Sequence, residues 1–241
     1  WERAFDQLND HDLAELQKIL LDLEDQVKRF RLDRASKIAK VLEDKIETAQ
    51  RQYELISQAL QDIRHDEADN RSKMLQLRDD YQVSRKTILA KSFVFGDAQP
   101  ALEQQLQPLA QLFQKIYQIN NDGDHQAAKA EIKQLAEQMR VLKKQVKELP
   151  PLVNEQVNEF PGQINEIQHG YRQLTTAHYV FTDDIPGMVA DVEAKMKDAN
   201  AALKSIDVEA TEAANAEIEA EIDKMYAIME KEMQAKKRGD V

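Results

Sequence analysis

Between Ala128 and His178 the apolar residues fall on one line. They are Ala128, Ile132, Leu135, Met139, Leu142, Val146, Leu149, Val153, Val157, Phe160, Ile164, Ile167, Tyr171 and Leu174. Alternating steps of four and three residues make the a/d seam of a heptad repeat, which requires one long helix with a continuous apolar stripe. A doubled step of four, centred on Val153, is a stutter that unwinds the supercoil locally. Pro150 and Pro151 stand beside it, so the spacing predicts a bend there rather than an end. At 1.5 Å per residue such a helix reaches on the order of 75 Å. No compact globule holds an element of that length, and the chain is expected to form a rod.

Composition agrees. The 241 residues include only 6 Gly and 6 Pro, which leaves little material for strands and tight turns. With 42% hydrophobic and 32% charged residues the chain lies in the long-helix regime, too apolar at its periodic positions to stay disordered. A net charge of −11 argues against nucleic acid as a partner, because phosphate binding needs an excess of cations. The absence of Cys excludes disulfides and thiolate-held metals. No run approaches the roughly 18 apolar residues of a membrane span, and no signal peptide is evident. The chain opens on Trp1 rather than Met and is expected to be a piece of a longer protein.

Taken in order, the apolar pattern breaks into helices. The first uses Phe5 and Leu8, is interrupted at Asn9, Asp10, His11 and Asp12, and resumes at Leu13, Leu16, Leu20, Leu23, Val27 and Phe30. Asp33 is placed to cap the next, which carries Ala35, Ala39, Leu42, Ile46, Ala49, Tyr53, Ile56, Leu60 and Ile63 and continues to Ile88. Within it, Arg64–Lys73 is charged on all faces and reads as a solvated link. A turn at Ser92–Ala98, with Asp97 as N-cap, precedes a helix through Leu102, Leu106, Leu109, Phe113 and Ile116, which Pro108 should kink. Gly123 suits a left-handed C′ position and Asp124 an N-cap. After the long helix and a turn at Val180–Asp184 come a fifth helix, Ile185 to Ile206, and a sixth capped by Asp207. The sixth ends on Lys231, Lys236, Lys237 and Arg238, cations that suit a helix C-terminus.

This order contains a repeat. Tyr81 and Tyr171 each precede a turn with a Val-Phe pair, Val94–Phe95 and Val180–Phe181, at a period of roughly 90 residues. Long helices alternate with short ones, so each long helix can pair with two successive short ones. The predicted fold class is all-α, an elongated rod of antiparallel three-helix spectrin-like repeats that share long helices. The predicted domains are 1–63, a two-helix hairpin whose repeat lacks its first helix; 64–150; and 151–241.

Chemistry is sparse. A calcium loop at Asp122–Asp124 would put Gln118 first and Lys129 twelfth, where carboxylates are needed, and capping explains the turn better. His11, His65, His125, His169 and His178 show no ligand spacing. Phosphate-loop, nucleophile-elbow and dinucleotide motifs do not occur. Neither catalysis nor a cofactor or metal is expected. Met225, Met229 and Met233 continue the seam of Ile218 and Ile222 and read as core. One stretch opposes the global charge: Lys28, Arg29, Arg31, Arg34, Lys37 and Lys40 face only Asp33, a local balance of +5. Such cations can simply answer a helix dipole and solvate a face, or they can form an electrostatic dock for anionic lipid or an acidic protein segment.

The residues KRFRLDRASKIAKVL (28–42), FPGQINEIQHGYRQL (160–174) and YAIMEKEMQAKK (226–237), with the turns after Tyr81 and at Asn121–Ala127, resemble the EzrA family of septation ring formation regulators. The Pro161, Gly162, Gly170 and Tyr171 combination is the most distinctive part. The resemblance implies an N-terminal membrane anchor absent from this chain, and spectrin-like repeats on the cytoplasmic face of the membrane at the division septum. It further implies a negative regulator of ring assembly whose partners are FtsZ and cell-wall proteins such as penicillin-binding proteins. If such an anchor precedes the missing first helix, the basic turn at Arg31–Asp33 would face the inner leaflet or whatever lies just beneath it. The alternative is a passive spacer or cross-linker that positions other division proteins. No functional residue carries over by motif.

Overall fold

The computed structural model of the chain describes residues 2–239, with side chains from Arg3 to Lys236. Lys237 and Arg238, part of the expected basic helix end, have side chains outside the described residues, as does Trp1 entirely. The fold is all-α, with no strand among the described residues. Its helices are α1 (Glu2–Asp6), α2 (Leu13–Lys28), α3 (Leu32–Ala90), α4 (Gln99–Asn121), α5 (His125–Asn154), α6 (Phe160–Thr176), α7 (Ile185–Lys204) and α8 (Val208–Gly239). Contacts divide the chain into two units. One holds the residues up to Ser72 with Asp124–Lys129, the other Lys73–Gly123 with Ala130 onward.

In the first unit the expected break at Asn9–Asp12 is instead a π turn, Gln7–Asp12, through which the helix continues. Leu13 N–H bonds Leu8 O, five residues back. The short polar side chains do not cap the backbone here; Asn9 donates to Asp10 instead (3.0 Å), so the ladder widens without ending. Helices α2 and α3 form a hairpin tied by Lys45 and Glu15 (2.9 Å), with Lys45 holding the Glu15 carboxyl below the usual range. Much of the expected seam is left uncovered. Leu20, Ile46, Tyr53 and Leu60 all remain more than a third exposed, whereas Ala35 and Ile56 are buried.

The stretch from Arg64 to Lys73 is not a solvated link. Asp66 and Asn70 are buried, and both face the start of α5. Asn70 donates to His125 O (2.9 Å), while Asp66 accepts from Gln126 and from Lys129 Nζ (2.8 Å). Lys129 holds the Asp66 carboxyl below its ordinary range. Charge on every face hides the point that two of these polar groups have partners across the helix pair. Buried polar groups with partners are tolerated where unpartnered ones are not.

In the second unit three helices pack around Ile88, Phe95, Leu102, Ile116, Leu135, Met139, Leu142 and Leu149, all fully buried. Helix α4 runs antiparallel to the end of α3: Tyr81 O–H donates to Leu106 O (3.0 Å) and Gln99 Nε2 to Ile88 O (2.9 Å). Pro108 sits inside α4 without ending it. Asp97 does not cap α4. It accepts instead from Asn200 (2.9 Å) and lies 3.4 Å from Lys204, and those two partners keep its carboxyl ionised to lower pH than usual. Phe160, Ile164, Ile167, Ile185, Val189, Ile218, Ile222, Met225 and Met229 build a further core among α6, α7 and α8. The methionine stripe is therefore packing at Met225 and Met229. Asp184 and Asp207 cap α7 and α8, accepting from Gly187 N–H (3.1 Å) and Ala210 N–H (2.9 Å).

The stutter appears as a π turn, Glu155–Glu159, just after the paired prolines, which α5 contains without a break. Phe160 N–H bonds Glu155 O. Pro161 supplies the reason: it has no N–H to offer Val157 O, and its ring would strike that carbonyl in a regular α-helix. A wider turn moves the carbonyl aside. The extra residue turns Val157 outward to 59% exposure and buries Gln156 in its place. Gln156 Nε2 donates to Asn215 Oδ1 (2.7 Å), and Asn215 Nδ2 donates to Leu152 O (3.1 Å) and Glu155 Oε2 (2.7 Å). Val157 thus leaves the predicted seam, and a bonded amide pair replaces it.

Candidate partner-binding surface

The six cations singled out in the sequence lie at the α2–α3 turn and along the first turns of α3. The backbone there closes α2 with a Schellman motif. Arg29 N–H donates to Asp25 O (3.1 Å), Phe30 N–H to Val27 O (3.0 Å) and Arg31 N–H to Gln26 O (3.0 Å). This geometry needs a left-handed residue at its C′ position, and Phe30 occupies it with φ of +53°. Glycine and asparagine are the usual occupants, but Lys28–Asp33 contains neither. For an ordinary side chain that conformation costs about 1–2 kcal/mol.

The side chain recovers little of that by packing. Phe30 is 88% exposed and Leu32 is 68% exposed, one on either side of Arg31. The periodicity places Phe30 as the last seam residue of α2, and the turn removes it from the seam. Asp33 is likewise not a cap. Arg31 O accepts from Arg34 N–H (3.1 Å) and Ala35 N–H (3.0 Å), which puts Asp33 inside the first turn of α3, where its charge suits the dipole.

Lys28, Arg29, Arg31, Arg34, Lys37 and Lys40 are all exposed. Two are engaged by carboxylates of their own helix, Arg29 by Asp25 (3.0 Å) and Lys28 more loosely by Glu24 (3.9 Å). Arg31, Arg34, Lys37 and Lys40 make no ion pair among the described residues. Arg34 and Lys37, three residues apart, share a face. The surface is therefore positive and tipped with two exposed apolar side chains. The charge run reveals the cations; the missing glycine is the one sequence signal for the aromatic. In the other unit a groove of about 450 Å³ opens beside the second π turn, lined by Gly96, Asp97, Val157, Met196, Lys197 and Leu203. Among the described residues no helix is long and apolar enough to cross a membrane.

Comparison with known proteins agrees with the resemblance. The family model for the septation ring formation regulator, EzrA, matches residues 1–240. Septation ring formation regulators of Enterococcus faecalis (26% identity), Lactiplantibacillus plantarum (29%) and Streptococcus suis (23%) are similar over 98%, 98% and 99% of this chain. The chain spans 41%, 41% and 42% of their respective lengths. No solved structure matches. The chain belongs to the EzrA family of septation ring formation regulators.

Proposed function

We propose that this chain is part of a non-enzymatic scaffold that binds FtsZ and restrains formation of the septation ring. The observation that carries the reading is the family match along residues 1–240, because the family is named for regulating that ring. The architecture suits a binding role. Side chains are spent on seams, caps and helix-to-helix ties, and the exposed remainder is a set of long helical faces. Within this reading, 64–150 and 151–241 are spectrin-like repeats, and 1–63 is a hairpin that a further helix would complete. The exposure of Leu20, Ile46 and Leu60 supports that last point. The parent protein would sit at the cytoplasmic face of the membrane at the septum through an anchor outside this chain, with penicillin-binding proteins as further partners.

The unbroken 59 residues of α3 favour a second reading, a passive spacer that only positions other division proteins. Co-sedimentation of the chain with FtsZ polymers, with light scattering to follow assembly, separates the two. A regulator enters the pellet and lowers the scattering; a spacer leaves assembly unchanged.

A further inference from the structure

We propose that the α2–α3 turn is a lipid-docking tip, with Phe30 and Leu32 entering the interface of an anionic bilayer while Arg31, Arg34, Lys37 and Lys40 hold its phosphates. The proposal stands apart from FtsZ binding and rests on the turn alone. An aromatic side chain occupies a backbone conformation that disfavours it, and nothing in the unit buries it. Among the described residues, no packing accounts for Phe30 at this position, and it stands at the tip of the hairpin rather than on the α2–α3 flank where Leu20, Ile46 and Leu60 are uncovered. An interface offers one, since amphipathic segments place aromatic and aliphatic groups at the acyl boundary with cations beside them.

The order of groups along the chain matches that layering. Phe30 and Leu32 bracket the turn. At 1.5 Å rise per residue, Lys37 and Lys40 lie about 8 and 12 Å back along α3 from Leu32. That interval is comparable to a headgroup layer plus the reach of a lysine, and to a Debye length at ordinary salt. Charge complementarity is local: Arg31, Arg34, Lys37 and Lys40 make no ion pair among the described residues and have only Asp33 among them, in a chain of net charge −11. An acidic protein segment would satisfy the cations equally well, but its carboxylates would leave Phe30 and Leu32, 88% and 68% exposed, in water.

The test uses the full 241-residue chain in flotation with vesicles of phosphatidylglycerol and phosphatidylcholine, against phosphatidylcholine alone. The chain is expected to float with the anionic vesicles only. The variant R31E/R34E/K37E/K40E should lose about a hundredfold or more in partitioning, given a severalfold contribution from each cation near such a surface. R31Q/R34Q/K37Q/K40Q serves in its place if the reversed charges disturb folding by circular dichroism. F30S/L32S should bind more weakly, and its residual binding should vanish in high salt. Phe30→Trp in a Trp1→Phe background should shift its emission to the blue and become shielded from iodide on anionic vesicles. Equal flotation of the charge variant, or an emission unchanged on bound vesicles, overturns the proposal. So does a chain that ignores vesicles yet binds polyglutamate through the same four cations, a result that would assign the tip to an acidic protein instead.

Discussion

Two turns of this molecule share a backbone and differ in what they do with it. At the end of α2, Phe30 takes the left-handed position with φ of +53°; at the end of α7, Ile206 takes it with φ of +54°. The six-to-one bond closes both, Arg31 N–H to Gln26 O (3.0 Å) and Asp207 N–H to Ala202 O (3.2 Å). Ile206 is buried in the core with Leu203 and Val208, and its carbonyl accepts from Gln145 (3.0 Å). Burial of such a side chain is worth roughly 1.5–3 kcal/mol, enough to offset the backbone strain. Phe30 has no comparable return. The same local geometry serves the fold at one turn and faces outward at the other, so strain alone does not say what a turn is for; the surroundings of the side chain do.

The comparison is broken most directly by truncation. Ile206→Ala should destabilise its unit by about 2–4 kcal/mol, because the strain remains while the packing goes. Ile206→Gly should cost about 1 kcal/mol less than Ile206→Ala, since glycine relieves the left-handed strain. Amide exchange of the last turn of α7 would read both. At the other turn the sign reverses: Phe30→Gly should stabilise the hairpin by about 1 kcal/mol, with Phe30→Ala near neutral. A loss of stability in Phe30→Gly, seen as a lower urea midpoint, would reveal packing that the exposure of Phe30 hides. His178 holds a third such position with φ of +62°, and histidine tolerates it better, so His178→Gly should gain only about 0.5 kcal/mol.

The smallest expected effect is electrostatic and belongs to the Ile206 turn. Lys144 is the principal cause of a lowered pKa at Glu209, in the first turn of α8. A carboxyl whose folded-state pKa is depressed contributes stability above its unfolded value and loses it as pH falls through the folded one. Melting of the chain between neutral pH and about pH 3 should therefore be slightly less steep in pH for Lys144→Ala. An identical slope would show that solvent screens the pair completely.

Most of the fold is legible in the heptad seam. Ile132, Leu135, Met139, Leu142, Leu149 and Ile167 are buried where the spacing puts them, and the caps at Asp124 and Asp207 hold. Periodicity fails where the helix itself changes pitch. It assumes one rotation per residue, so it keeps Val157 in the seam and cannot see Gln156 replace it. It also treats polarity as exposure, which hides Asp66 and Asn70, whose partners come from a helix some sixty residues away. At the candidate surface, the cations are visible because charge needs no register. Phe30 is misplaced because nothing in a 3.6-residue pattern marks where a chain turns left-handed without glycine.

The wide turn at Glu155–Glu159 has a consequence for length. A π turn is an α-helix with one residue spliced into it. Loss of a single codon there would close the ladder back to regular pitch and keep Phe160, Ile164 and Ile167 on their face, a deletion that most helix interiors do not survive. Pro161 decides whether it succeeds. Left in place, it would meet the restored carbonyl four residues back and reintroduce roughly 3 kcal/mol of conflict; exchanged for alanine in the same edit, it would let the shortened chain run straight. Insertion and proline are thus two halves of one change, each tolerable here because the other is present.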